Sequence, residues 1–253
     1  MLKRLIQSQY GTFEELYLRT IRDRIQQLPE KLQDTIASLS RYDRRILDFH
    51  VSSPWKEPNL LMVKMRVAMT MQFIDDCVGG ISEPEQVVDV GAGSGLFLEV
   101  FGKKGLGVDI YPPHVEAMQS NGIEVLSCPS EALDIQDNSF DYGFAFEVLE
   151  HAESPLGGLK ELSRVCRKGV FASIPLRRGS HTIPKDPNQT VFSQHIFELS
   201  SEDFSRLATH AGLRTVSTQE FLFFQPTWGI EQILRRRHGL EGAKIVIFHL
   251  EKL

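Results

Sequence analysis

An apolar run that leads directly into closely spaced glycines constrains the fold of this chain more than any other feature. Residues 87–90 (VVDV) are followed by residues 91–95 (GAGSG) and then by a helical pattern over residues 96–101. A strand that turns through glycines into a helix is typical of the first strand of an open α/β sheet. Ligands bind such sheets at the carboxyl ends of the strands, where glycine lets the backbone approach them closely. The pattern therefore predicts a ligand site at this turn.

Short β-rich runs alternate with helical or turn segments over the rest of the chain. They occupy residues 87–90, 106–110, 124–126, 140–146, 170–174, 214–221 and 244–250. This alternation predicts a doubly wound, Rossmann-like α/β sheet of seven strands, mostly parallel, with an antiparallel last strand. Before it, apolar side chains recur at three- and four-residue steps, broken at Pro29, which predicts helices. We expect a helical N-terminal extension over residues 1–80 and the α/β domain over residues 81–253.

Composition places the chain among ordinary globular proteins. Hydrophobic residues make up 42% and charged residues 24% of its 253 residues. The net charge is −5, so no overall positive field gathers nucleic acid, and we expect no nucleic-acid partner. Cys77, Cys128 and Cys166 are widely spaced and form no CxxC pair, which favours a cytoplasmic location. No apolar run reaches the roughly 20 residues that span a bilayer, so we expect no transmembrane segment.

The spacing of the glycines distinguishes two kinds of ligand. A dinucleotide-binding turn has the pattern GxGxxG, and its third glycine is replaced here by Leu96. Instead the glycines follow GxGxG after Asp89, and Asp109 ends the next strand about twenty residues downstream. A carboxylate at that position is suited to accept hydrogen bonds from a ribose diol. Hydride transfer with a nicotinamide cofactor is therefore the less favoured interpretation.

With these motifs, residues 85–220 resemble the class I S-adenosylmethionine-dependent methyltransferases, particularly the group that methylates small molecules. The resemblance implies S-adenosyl-L-methionine as the cofactor. It implies that Asp109 holds the ribose hydroxyls, that Ile110 packs on adenine, and that Glu147 contacts the cofactor. The residues that would wrap the amino-acid part of the cofactor are Asp89, Gly91, Ala92, Gly93 and Gly95.

The adenine end of this site departs from the family pattern. The family usually has an aspartate at the position that Pro129 occupies in this chain. Ser130, Glu131 or the backbone alone are the candidates for binding the adenine amino group in its place. Residues 137–141, which follow, are interpreted as a turn that starts a strand.

Two carboxylates and an imidazole follow the fourth strand within five residues. Glu147, Glu150 and His151 have the spacing i, i+3, i+4, which brings them to one face of a turn or of a single helical revolution. There they can bind a cation together or divide acid and base roles. For a hydroxyl acceptor, His151 is the preferred general base, with Glu150 able to orient it, because an unperturbed imidazole titrates near neutrality.

The same Glu-x-x-Glu-His pattern resembles two metal-assisted groups, the ubiquinone-biosynthesis O-methyltransferases and the small-RNA 2′-O-methyltransferases. In the latter a later histidine completes the site, and His195 stands in a similar position here. A divalent ion would then be held by Glu147, Glu150, His151 and His195. Members without metal carry the same pattern, in which the histidine faces the acceptor, and His195 then lines the substrate pocket or the surface. Both interpretations stay open, and the candidate catalytic residues are His151, Glu150 and His195.

The methyl acceptor is predicted only as a class. In the family it enters where the N-terminal extension meets the segment after the fifth strand, and both are sizeable here. We expect methyl transfer to a small-molecule or lipid-like acceptor, at oxygen. The alternatives are a metal-assisted RNA 2′-O-methyltransferase, which the acidic net charge disfavours, and a non-catalytic S-adenosylmethionine-binding module. The sequence leaves the oligomeric state open.

Overall fold

A computed structural model describes the protein over residues 13–50, 56–82, 85–102, 105–176, 196–197, 199–222 and 244–253. These residues fall into two compact units, one formed by the described residues up to Gln72 together with Leu222, and one formed by Phe73–Phe221 together with Lys244–Leu253. The predicted domain boundary at residue 80 stays a prediction. Within the described ranges no helix is long and apolar enough to cross a membrane.

The described part of the first unit up to Gln72 is helical, as the apolar spacing predicts. Its helices are α1 (Phe13–Gln26), α2 (Glu30–Ser38), a 3-10 turn (Leu39–Tyr42), α3 (Asp43–His50) and the greater part of α4 (Lys56–Val78). Pro29 separates α1 from α2, because proline has no backbone N–H with which to continue a helix. Within the unit, the buried ammonium of Lys64 pairs with the carboxylate of Asp43 at 2.6 Å.

The second unit is the predicted α/β sheet. Its elements in chain order are β1 (Val87–Val90), α5 (Leu96–Val100), β2 (Gly105–Val108), α6 (Pro112–Ser120), β3 (Glu124–Leu126), β4 (Phe140–Phe146), α7 (Pro155–Val165), β5 (Cys166–Pro175), α8 (Ser201–His210), β6 (Leu213–Leu222) and β7 (Lys244–Lys252). The seven strands lie in the order β3-β2-β1-β4-β5-β7-β6. The strands β1 to β5 are parallel, and β7 runs antiparallel to β5. The predicted fold class is confirmed.

The two faces of the sheet carry different side chains, because neighbouring residues of a strand point to opposite faces. One face is mainly aliphatic and packs with α7 and α8. The other face carries aromatic rings of β4 and β5, which pack with rings of α4 and α5. On this aromatic face, register partners on four adjacent strands form one row that consists of Asp89, Phe144, Phe171 and His249.

Most predicted element bounds agree with the structure, and the differences have local causes. Strand β2 ends at Val108 rather than residue 110, and the side chain of the next residue, Asp109, accepts backbone hydrogen bonds from Gly93 and Tyr111. Strand β5 begins at Cys166 rather than residue 170, directly after α7. The predicted turn before β4 is confirmed by Asn138, whose φ is 54°.

Candidate functional site

The turn after β1 depends on glycine at its first position. Gly91, Gly93 and Gly95 have φ values of 73°, 57° and 72°, a region that favours glycine. A Cβ on Gly91 would lie 2.2 Å from a methyl carbon of Val148. The backbone N–H of Gly91 donates a hydrogen bond of 2.8 Å to the carbonyl of Val108. This closely packed turn lies at the carboxyl end of β1, where the sequence predicts it.

Asp89, immediately before this turn, carries an unsatisfied carboxylate oxygen. The residue is 2% exposed, and its Oδ2 has no hydrogen-bond partner in the described part of the chain. Burial, with a smaller contribution from the charge of Asp109, raises the pKa of the Asp89 carboxyl to about 8. A buried acceptor without a donor is costly. The position therefore favours a ligand that brings a donor, and above all a cationic one.

The carboxylate of Asp109 is oriented by three donors around it. Its Oδ2 accepts the backbone N–H of Gly93 at 2.9 Å, and its Oδ1 accepts that of Tyr111 at 2.9 Å. The imidazole Nδ1 of His114 lies 3.1 Å from Oδ2. The neighbouring Ile110 is 48% exposed, which leaves an apolar surface beside the carboxylate. Asp109 thus joins the glycine turn, β2 and α6.

His114 was missed by sequence analysis. The only available signal was a histidine in the first turn of the helix that follows the acid of β2. The imidazole ring of His114 packs edge to face with the ring of Tyr111, with centroids 4.9 Å apart and planes at 86°. Imidazole packing and the contact to Asp109 together hold the carboxylate in place.

The segment around Ser130 and Glu131 is tied to the start of α7. The hydroxyl of Ser130 donates to Oε2 of Glu131 at 2.8 Å, and the backbone N–H of Ser154 donates to Oε1 at 2.9 Å. Ser154 in turn caps α7, its Oγ accepting the N–H of Gly157 at 3.0 Å. Glu131 therefore has a structural role, and the proposed adenine contact of Ser130 or Glu131 stays a prediction.

Glu147 leaves the end of β4 in an unusual backbone conformation. Its φ is 53°, which is uncommon for a residue other than glycine and is often found at functional sites. Its N–H donates to the carbonyl of Ser173 at 3.1 Å, and the Ser173 hydroxyl donates to its Oε1 at 2.9 Å. Ser173 lies on β5 and was also missed; a single serine in an apolar strand was the signal. Strand β5 thus holds the carboxylate of Glu147 in position.

Glu150 and His151 lie on the turn that follows. The carboxylate of Glu150 is buried, whereas the His151 side chain is 25% exposed. His151 Nε2 lies 3.9 Å from Glu150 Oε1, longer than a hydrogen bond. The carbonyl of Glu150 accepts the N–H of Ile196 at 2.8 Å, which brings the chain after β5 back to this turn.

The metal hypothesis receives no support from the described residues. Among them, no group of three or more His, Cys, Asp or Glu side chains is arranged to hold a metal ion. Glu147, Glu150 and His151 therefore do not form such a group, partly because β5 binds the first of them. His195, the fourth predicted ligand and a predicted catalytic residue, lies outside the described residues.

Comparison with known proteins points to one family. Residues 88–174 match the family model of a methyltransferase domain. An uncharacterised protein of Methanocaldococcus jannaschii is 34% identical over 115 residues, which are 46% of this chain and 52% of that protein. A ubiquinone biosynthesis O-methyltransferase of Acinetobacter baylyi is 28% identical over 138 residues, 49% of this chain and 54% of that protein. The chain thus spans about half the length of the curated relatives it matches.

Solved structures share the fold. One is a chain from the complex between the Haloferax volcanii Trm112 methyltransferase activator and a methyltransferase. It has a TM-score of 0.57 at 18% identity and covers 86% of this chain and 96% of its own. At this identity the likeness concerns the fold alone. The matched region of the family model contains the glycine turn, Asp109 and the Glu147–His151 segment.

Proposed function

We propose that this chain, in which residues 88–174 match the family model of a methyltransferase domain, is an S-adenosylmethionine-dependent enzyme that methylates a small-molecule or lipid-like acceptor at oxygen. The observation that carries this proposal is the pairing of two carboxylates at one turn. Asp89 is buried with a partnerless oxygen, whereas Asp109 is held by surrounding donors. The first suits a cationic group, and the second suits a neutral diol.

The residues fit the cofactor that the family uses. Its amino-acid part carries an ammonium, which would satisfy Asp89 and keep the carboxylate ionised despite burial. Its ribose hydroxyls are donors for the remaining lone pairs of Asp109. Ile110 supplies an exposed apolar surface against which adenine can pack. The two acids and this side chain thus match the three chemical parts of S-adenosylmethionine.

Methyl transfer makes modest demands on the protein. The cofactor supplies a methyl group already activated by the positive charge on its sulfur, so alignment of the acceptor accounts for much of the catalysis. His151 is partly exposed, and we assign to it the role of the general base that removes the proton of an acceptor hydroxyl. The carboxylate of Glu150, 3.9 Å away, stabilises the imidazolium that results. Glu147, whose carboxylate accepts a hydrogen bond from the hydroxyl of Ser173, helps to orient the bound cofactor at the carboxyl end of β4.

The choice of oxygen and of a lipid-like acceptor has separate support. One matched relative is named a ubiquinone biosynthesis O-methyltransferase, and the match covers 49% of this chain. RNA is disfavoured as the acceptor, because a net charge of −5 gives no overall positive field that would attract it. A small or lipid-like alcohol or phenol is therefore the acceptor class that we propose.

Calorimetry on the purified full chain tests the cofactor site first. We expect S-adenosylmethionine to bind, and Asp109→Ala to weaken binding by about 10- to 100-fold, because hydrogen bonds to a charged group are lost. His114→Ala should weaken it less, since the backbone donors to Asp109 remain. Glu116→Gln, an exposed carboxylate change on α6, is the matched control and should bind as the wild type does.

Turnover is tested separately by release of S-adenosylhomocysteine across a panel of alcohols, phenols and quinols. We expect release with at least one member, and a fall in kcat of about 100-fold or more for His151→Ala on a hydroxyl acceptor. No cofactor binding would overturn the proposal altogether. Binding without release on any acceptor would instead identify a non-catalytic binding module.

A further inference from the structure

A cavity of about 340 Å³ lies within the second unit beside its last two strands. Its described lining comes from the end of α4, from the middle of β6 and from His249 of β7. The volume is within the range of small-molecule sites. The methyl-transfer site proposed above uses none of these residues, so a ligand of this cavity would be additional to the cofactor and the methyl acceptor.

His249 contributes a buried imidazole to the wall of the cavity. The residue is 3% exposed, and its ring stacks on Phe171 with centroids 4.7 Å apart and planes at 11°. Within the described part of the chain the ring makes no hydrogen bond. A buried polar side chain normally has a hydrogen-bond partner, and the cavity is where one can be placed.

The charge state of this imidazole indicates which partner it accepts. Burial lowers the pKa of His249, so the ring is neutral at neutral pH. A neutral imidazole offers one N–H donor and one nitrogen acceptor. A hydroxyl group can serve either nitrogen, because it both donates and accepts hydrogen bonds.

The other polar groups of the lining favour a neutral ligand. None of the described lining residues is a lysine or an arginine, so these residues offer an anion no counter-charge. The carboxylate of Asp76 already takes part in another interaction and is assigned no ligand contact. The thiol of Cys77 hydrogen-bonds Ser217 and stays uncharged, because burial raises its pKa.

Apolar side chains complete the lining. Phe73 is buried and packs edge-on against Phe171, with centroids 6.3 Å apart. Val216 of β6 is half-exposed and adds an aliphatic surface. Aromatic rings pack favourably on such surfaces, and a phenolic O–H keeps one polar contact while the ring is buried. We propose that the cavity binds a small neutral phenol, whose ring packs on Phe73 and Val216 and whose hydroxyl donates to the imidazole of His249.

This site is separate from the proposed cofactor site. The row from Asp89 to His249 crosses three strand spacings, about 14 Å in all. The phenol bound here is therefore not the methyl acceptor, and the test of this site requires neither cofactor nor turnover.

The experiment uses the full chain without cofactor and two probes of similar shape. Phenol carries an O–H donor, whereas anisole has the same ring with a methyl ether in place of the hydroxyl. We expect saturable binding of phenol in the millimolar range, with anisole at least about fivefold weaker. Calorimetry measures both affinities, and NMR of the histidine ring nitrogens should show the acceptor nitrogen of His249 shifting with phenol. Equal binding of the two probes, an unmoved His249 signal, or no saturable binding of phenol would overturn the proposal.

Three variants locate the binding. His249→Phe, which keeps a ring against Phe171, should weaken phenol binding at least about fivefold. His210→Phe is the matched control, because it makes the same change at an exposed position on α8, which packs on the other face of the sheet; its effect should be under about twofold.

Val216→Trp places a larger side chain at the cavity from a half-exposed position, so it keeps the proposal testable if His249→Phe is unstable. It should weaken phenol binding at least about tenfold, because the indole takes up space that the ligand needs. Wild-type affinity in His249→Phe or in Val216→Trp, or an equal loss in His210→Phe, would contradict the site.

Discussion

At the residue scale, Asp89 lowers the stability of the ligand-free protein and favours the binding of a cationic ligand. The pKa of its buried carboxyl is raised to about 8, against about 3.9 in an unfolded chain. Between these values the folded protein holds a proton that the unfolded chain has lost. Consequently this residue lowers the free energy of unfolding progressively as the pH rises from about 4 to about 8, and its contribution is constant above that. A cationic ligand reverses the penalty by pairing with the ionised form.

Replacing Asp89 tests this balance. Without ligand, we expect the melting temperature of Asp89→Asn to rise relative to that of the wild type as the pH is raised from about 5 to about 8, because the variant lacks the ionisable carboxyl. The same variant should bind S-adenosylmethionine at least about tenfold more weakly, because an amide carries no negative charge. Thermal melts over this pH series and calorimetry measure both effects. A melting difference that is independent of pH would contradict a protonated carboxyl.

At the scale of elements, the turn after β1 and the turn after β4 interlock. Gly91 and Val148 approach so closely that a Cβ on the glycine would lie 2.2 Å from the valine methyl. The glycine pattern alone predicts the first turn, and the end of an apolar run predicts the second. Their contact depends on β1 and β4 being neighbours in the sheet, which no local pattern reveals.

A double-mutant cycle measures this contact. Gly91→Ala should lower the free energy of unfolding by about 2–4 kcal/mol, from a positive φ and from overpacking. Val148→Gly removes the side chain that the new methyl group would meet. Gly91→Ala should therefore cost less in the Val148→Gly background than in the wild type, with a coupling energy of about 1–3 kcal/mol. Denaturant unfolding gives all four values. Strict additivity would show that the backbone conformation alone demands glycine.

At the scale of the whole molecule, every residue assigned to the cofactor belongs to the second unit. A ligand stabilises what it binds, by about 2.7 kcal/mol when its concentration is a hundred times its Kd. We therefore expect S-adenosylmethionine to raise the melting temperature of the second unit by roughly 5–10 °C. If calorimetric scans resolve two transitions, only one should move. An equal shift of two resolved transitions would contradict the assignment of the whole site to one unit.

The sequence alone determined the fold class and indicated the cofactor that we propose, because both inferences depend on local patterns. Strand runs, the spacing of the glycines and the position of Asp109 after β2 are each legible within about twenty residues. The tertiary structure alone decided how the site is assembled. The pairing of Glu147 with Ser173, the unsatisfied oxygen of Asp89 and the close approach of Gly91 to Val148 arise between residues far apart in the chain. They depend on the strand order β1-β4-β5-β7, and hydrophobic periodicity predicts which residues are strands without predicting which strands become neighbours.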